Sequence, residues 1–234
     1  MYAAGRSGRR QRLAAEGPSC PCTLPGCAFA VRCPAFARST DVNAIHMPRL
    51  PKSLPESVRL LMAHVGGSDR HSLLELMAGS PVLVVFLRHL GCVFCRQTLA
   101  DLRASRPVLE SMGVRLALVH MASDRQAELV FRMYGLDNVP RFSDTDRTLY
   151  QAMGMRRASM RELMSTELFK RGLEACVRDR HAMGVPRGDP MQMPGAFVLE
   201  RGFVLASFVH EHPWDRPDYL ALVRSAQSAA APAA

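Results

Sequence analysis

Two cysteines two residues apart, Cys92 and Cys95, follow an unbroken apolar run and a glycine in the stretch from Pro81 to Leu102, P-V-L-V-V-F-L-R-H-L-G-C-V-F-C-R-Q-T-L-A-D-L. A cysteine at or just before the first turn of a helix faces unpaired backbone N–H groups and the positive end of the helix dipole. Its pKa can then fall from an ordinary 8.5 into a range of roughly 3.5 to 7.5, which makes it a nucleophile at neutral pH. Cys92 is the expected nucleophile. Cys95, one turn later, is placed to attack a mixed disulfide on Cys92 and release the substrate as a thiol. Arg88, His89 and Arg96 flank the pair and would stabilise the anion further if they face the sulfur. Zinc binding by C-x-x-C needs two more ligands at suitable spacing, and none lies nearby in the chain. Two half-buried, inert cysteines are the plain alternative, against which the strand-then-helix setting argues.

The elements around this pair follow from pattern. Val82 to Leu87 reads as a buried strand, and a helix is expected from Cys95 to Met112, with Arg106-Pro107 marking a kink. Upstream, Glu56 to His64 has the apolar spacing of a short amphipathic helix ended near Gly66-Gly67, and Ser72 to Met77 a second short turn closed by Gly79. Val114 to Ala122 is strand-like, and Ser123-Asp124 caps a helix through Tyr134. Two βα units in succession imply a parallel sheet with right-handed crossovers, hence an α/β class, with active residues collecting at the carboxyl ends of strands. Phe142 to Met155 reads as a loop, then a helix capped near Asp144. Arg156 to Met183 is basic and helical; it either packs over the redox pair or forms a solvated helical pair, and its charges favour the second reading. Met193 to Phe208 holds two strands meeting at Glu200-Arg201-Gly202, a hairpin. Pro194 precedes the first of them, where a cis bond would cost no ladder hydrogen bond. Pro213 to Arg224 suits a closing helix, and the Ala/Pro-rich end from Ser225 reads as a tail.

Composition narrows the function classes. The chain has 234 residues, 48% of them apolar, enough for one domain of ordinary size plus tails. No apolar run approaches the eighteen or so residues of a membrane span. The net charge of +9 suggests nucleic acid until its distribution is read: residues 1–50 carry seven Arg against Glu16 and Asp41, leaving only +4 on the remainder. That remainder has no basic stripe with interleaved aromatics, so neither nucleic acid nor membrane is an expected partner. Lys52 and Lys170 are the only lysines.

Residues 1–49 differ in composition from the domain expected over 50–224 and from the tail over 225–234. They contain Cys20, Cys22, Cys27 and Cys33. The spacing C-x-C-x4-C-x5-C has the ligand number for zinc or an iron–sulfur cluster but matches no motif with a known geometry. An Arg-rich, acid-poor start also fits an organellar transit peptide, without a clear amphipathic pattern. A disordered extension, or upstream sequence translated from too early a start with Met47 the ordinary beginning, is favoured. In the absence of a secretory h-region the expected location is cytoplasmic.

Taken in order, a strand ending in C-x-x-C at a helix start, a second βα unit, a proline before an antiparallel hairpin and a final helix resemble the thioredoxin fold. The phrases L-R-H-L-G-C-V-F-C-R, G-V-R-L-A-L-V, F-S-D-T-D-R-T-L-Y-Q-A-M-G and Q-M-P-G-A-F-V-L-E-R-G narrow the resemblance, over residues 55–223, to the peroxiredoxin-like branch of the alkyl hydroperoxide reductase and thiol-specific antioxidant superfamily. The resemblance implies a mixed central sheet flanked by helices, with a helical insertion before the C-terminal hairpin. It also implies Cys92 as first nucleophile, Cys95 as resolving cysteine, Pro194 beside them and Met193 offering backbone hydrogen bonds to substrate. No cofactor beyond the dithiol is implied. Electrons would come from a thioredoxin, a glutaredoxin or a low-molecular-weight thiol, and the substrate would be a disulfide or a peroxide. One departure matters. Peroxidatic sites resemble P-x-x-x-T-x-x-C, but counting back from Cys92 the Thr and Pro positions hold His89 and Val85, and from Cys95 they hold Cys92 and Arg88.

The expected function is therefore thiol–disulfide exchange or antioxidant defence, with a thiol peroxidase as one rival and a non-catalytic binding module of the same fold as another. His89 could tune Cys92 or face solvent. His210, Glu211 and His212 could share a strand face for a metal, though a solvated turn is the favoured reading. Cys176 is expected to be buried and inert, Trp214 to pack, and the methionines to fill core.

Overall fold

The computed structural model describes residues 52–68, 71–178, 184, 185 and 187–230. The expectations for residues 1–49, including their four cysteines, lie outside the described residues. The central apolar run forms β2 (Val82–Phe86), followed by the long helix α3 (Val93–Ser111), which runs on through Pro107. Next come β3 (Arg115–His120), α4 (Asp124–Met133) and a three-residue strand β4 (Arg141–Ser143). β2, β3 and β4 are parallel neighbours. The expected hairpin forms β5 (Gly195–Glu200) and β6 (Phe203–Val209), joined through Arg201 and Gly202 at φ 49° and 84°. Two successive left-handed residues suit the twist of a two-residue hairpin, and glycine accepts that conformation without strain. β5 pairs antiparallel with β2, and β6 carries a two-residue edge strand β1 (Lys52–Ser53). The six-stranded mixed sheet has the order β1-β6-β5-β2-β3-β4.

Side-chain alternation on this sheet makes two cores. Leu83, Val85 and Leu87 project to one side with Leu116 and Leu118, under α3, α4 and the closing helix α8 (Tyr219–Ala230). Val82, Val84 and Phe86 project to the other, with Ala117 and Val119. There they meet α1 (Glu56–His64) and α2 (Leu73–Gly79), whose start is fixed by a capping box between Ser72 and Glu75. β2 is thus buried on both faces, which explains its unbroken apolar run. The short helix α5 (Thr148–Ala152) adds Tyr150 to the second core, and Asp144 caps it by accepting from the Thr148, Leu149 and Tyr150 N–H groups.

Three expectations need correction. The chain end from Ser225 is not a tail throughout: α8 continues to Ala230 and buries Ala226. The Met193–Pro194 bond is trans, no cis peptide occurring among the described residues. The basic insertion forms α6 (Met160–Leu163) and α7 (Thr166–Arg178), but it is no solvated pair. α7 packs Leu168, Ala175 and Cys176 against the core that holds Cys92 and Cys95. Its charges share the outer face with the exposed Phe169, Leu173 and Val177, while Gly172 and Ala175 are buried.

Candidate active site

Cys92 is the N-cap of α3, at the carboxyl end of β2 where sequence pattern puts it. The Phe94 and Cys95 backbone N–H groups at the helix start face its sulfur, and a guanidinium nitrogen of Arg88 lies 3.6 Å from Sγ. The Cys95 thiol, donating to Cys92, does most to pull the Cys92 pKa well below the ordinary thiol value; Arg88 and the helix amides add to this against the cost of burial. Cys95 is pushed up by the same bond and by burial. This polarity favours the anion on Cys92 and the proton on Cys95. Both thiols are free and buried, Cys92 at 6% exposure and Cys95 at 4%.

A strap from the insertion lies against Gly91 and Arg88, the neighbours of Cys92. Gly184 N–H donates to Gly91 O at 3.0 Å, and the two backbones touch so closely that a Cβ on Gly91 would lie 2.4 Å from the Val185 carbonyl oxygen. Arg88 donates its other guanidinium nitrogen to Pro190 O, so one side chain joins the sulfur to the strap. Asp189 fixes the strap from below: its carboxylate meets Arg147 at 2.5 Å and Arg157 at 2.9 Å and accepts from Met191 N–H. The strap's end is tied to its beginning, Ala158 N–H donating to Met191 O and Met193 N–H to Arg156 O.

The other expected site residues fall around this arrangement unevenly. His89 does not face solvent: it is buried, and burial, then Arg88, lowers its pKa to about 4 and keeps it neutral. It is thus no resting cation for the thiolate. Arg96 is bonded to Tyr134, and its guanidinium lies against Gly184. Pro194 lines a narrow crevice together with Cys95. Met193 is buried, its N–H given to Arg156 O and its carbonyl taken by the Gln192 amide. His210, Glu211 and His212 do not converge. His210 points into the Cys95 crevice, Glu211 and His212 give their N–H groups to Asp215, and His212 stacks on Trp214.

Sequence pattern missed Tyr150, whose hydroxyl donates to Leu87 O at 2.5 Å and lies 3.1 Å from Val119 O, tying the ends of β2 and β3 together beneath the redox turn. It also missed the strap anchor Asp189 and the burial of His210. Only the phrase around Tyr150 carried a signal, through its place in the family resemblance.

Comparison with known proteins bears on the fold. Reduced Prx3 from Vibrio vulnificus shares the fold with a TM-score of 0.52 at 15% identity, over 76% of this chain and 99% of that one. A Xanthomonas campestris peroxiredoxin Q structure reaches 0.49 at 15% identity, over 77% and 94%. Residues 101–212 match the family model described as AhpC/TSA antioxidant enzyme. Over that segment the chain is similar to the AhpC/TSA antioxidant enzymes. Curated relatives include the prostamide/prostaglandin F synthases of Salmo salar, 28% identical over 166 residues (69% of this chain, 80% of that one), and of Homo sapiens, 27% over 159 residues (66% and 79%). The chain's class is oxidoreductase. The matched segment opens at Asp101, inside α3, so Cys92 and Cys95 lie outside it and their roles rest on the site's own geometry.

Proposed function

We propose that this chain is a peroxiredoxin-like thiol–disulfide redox protein in which the Cys92 thiolate attacks a disulfide or peroxide and Cys95 resolves the product. The observation that carries this reading is the asymmetry of the pair, a depressed thiol at the helix start and a raised, proton-bearing thiol one turn later. An external thiol, from a thioredoxin, a glutaredoxin or a small molecule, then returns the Cys92–Cys95 disulfide to the dithiol. No metal or prosthetic group takes part. Trapping tests it. Cys95→Ser should hold partners on Cys92 as mixed disulfides that reductant releases, and Cys92→Ser should hold none; equal capture by both variants would defeat the assignment.

The family match favours a second reading, peroxide reduction through a sulfenic acid on Cys92. The positions that would supply the peroxide pocket hold Val85 in the strand interior and a neutral, buried His89, which leaves disulfide exchange ahead. Hydrogen peroxide, an alkyl hydroperoxide and, after the relatives' name, a prostaglandin-type substrate are the three to assay beside a protein disulfide. Rapid peroxide consumption that vanishes in Cys92→Ser would put the second reading first.

A further inference from the structure

Cys95 creates a problem of its own once Cys92 is occupied. In the resting pair its proton is shared with the Cys92 thiolate, but a Cys92 bound to substrate as a mixed disulfide accepts nothing. The Cys95 thiol is buried and must lose its proton before it can attack. An acceptor has to be reachable from inside.

His210 meets that need by position. The carboxyl end of β2, the start of β5 and the end of β6 lie at one margin of the sheet, since Phe86 pairs with Gly195 and Gly195 with Val209. His210 follows Val209 and gives its N–H to Pro194 O, which fixes it against the proline turn. Its ring packs edge-on to Phe208 at 5.1 Å and lines the crevice that Cys95, Pro194, Thr98 and Tyr219 also line. The side chain is 4% exposed, its ring is bonded to the His212 backbone, and its Nδ1 is buried without a hydrogen-bond partner. An unsatisfied buried ring nitrogen costs stability and asks for a reason. Two of the competing groups are committed elsewhere, and the third, His89, also has a buried Nδ1 without a partner but does not line this crevice. Tyr150 donates to the Leu87 and Val119 carbonyls, Tyr219 is bonded to Thr98, and His89 feels Arg88 and Asp189.

We propose that the imidazole of His210 accepts the proton of Cys95, directly or through one water in the crevice, as Cys95 attacks a disulfide held on Cys92. The proposal rests on the dithiol reading above. In the step, the Cys95 S–H proton passes to Nδ1 of His210 and the Cys95 sulfur bonds to the Cys92 sulfur. The bond from Cys92 to the substrate sulfur breaks, and the departing thiolate takes its electron pair. The imidazolium then yields its proton to that thiolate, so the products are a substrate thiol and the Cys92–Cys95 disulfide. Burial keeps the resting ring neutral, with its pKa lowered to about 4, and so leaves a lone pair available at neutral pH. The protonated ring is stabilised only while a thiolate faces it, so the proton does not stay there.

A chromogenic aromatic disulfide such as 5,5′-dithiobis(2-nitrobenzoate) separates the two steps at pH 7. The first thiolate released reports attack by Cys92, and the second reports attack by Cys95. His210→Asn and His210→Gln, each checked for native near-ultraviolet circular dichroism, should slow the second release by about 100-fold, the usual scale of a positioned proton acceptor. The first release should stay within about twofold. His89→Asn should leave the ratio of the two phases unchanged. In the wild-type chain, deuterated solvent should slow the second phase more than the first, a readout that needs no variant to fold. An unaltered second phase in a folded His210 variant, equal slowing of both phases, or no selective isotope effect would overturn the proposal. A wild-type chain with no first release, or a Cys95→Ser chain that keeps the second, would instead overturn the dithiol reading itself.

Discussion

Arg88 does at the residue scale what several groups share in a more open site. It is 6% exposed, with one nitrogen on the Cys92 sulfur and the other on the Pro190 carbonyl. A buried guanidinium without partners would be costly, so thiolate and strap stabilise it as much as it stabilises them. Arg88→Met removes the charge at similar length. The pH profile of Cys92 alkylation should move up toward that of an ordinary thiol, and labelling at pH 6.5 should slow several-fold. An unmoved profile would assign the low pKa to Cys95 and the helix amides alone. His210 teaches the opposite lesson about legibility. A His-Glu-His run looks like a solvated turn, and nothing local shows that its first member is buried; that depends on a register set by β2, β5 and β6 together.

At the scale of elements, the strap lies against Gly91 and Arg88 beside Cys92, and access to the sulfur is expected to depend on it. Asp189→Ala cuts its ties to Arg147 and Arg157. Cys92 should then alkylate several-fold faster at pH 8, where its anion is already formed, with the profile against pH unshifted. No acceleration would mean the strap is not the barrier. Gly91→Ala should do the same and destabilise the fold by about 1–3 kcal/mol, because the new methyl meets backbone that must shift. The long elements were readable because their signals are local: α1 at Glu56–His64, β2 and α3 follow from period and turn residues alone. β1 and β4 were not, since two or three residues are too few for alternation to show. The insertion misled through Arg156, Arg157 and Arg161, exposed charges that say nothing of the buried Ala175 further along.

For the whole molecule, the two cores carry different loads. The redox pair belongs to the α3 side, while Phe86 joins Tyr150 and Phe197 edge-to-face on the other. Phe86→Ala should cost about 3–5 kcal/mol, read from denaturant midpoints. Acid should also loosen the fold in a defined window. His89, His120 and His210 are each lowered to about 4, chiefly by burial. The unfolded chain, with histidines near 6.5, binds protons that the folded chain refuses, so stability falls as the pH drops from about 6.5 to 4. Each ring contributes up to a few kcal/mol at about 1.4 kcal/mol per pKa unit. Denaturation midpoints at pH 7 and pH 5 should differ markedly, and coincident midpoints would show that these rings are not held neutral. The pairing of Arg157 with Gln192, flanked by the Ala158–Met191 and Met193–Arg156 hydrogen bonds, has one more consequence. The two ends of the insertion therefore meet at a single point. A short turn spliced from Arg157 to Gln192 would join them without asking any strand of the sheet to move, and would strip α7 from the core and the strap's partners from Gly91, Arg88 and Arg147.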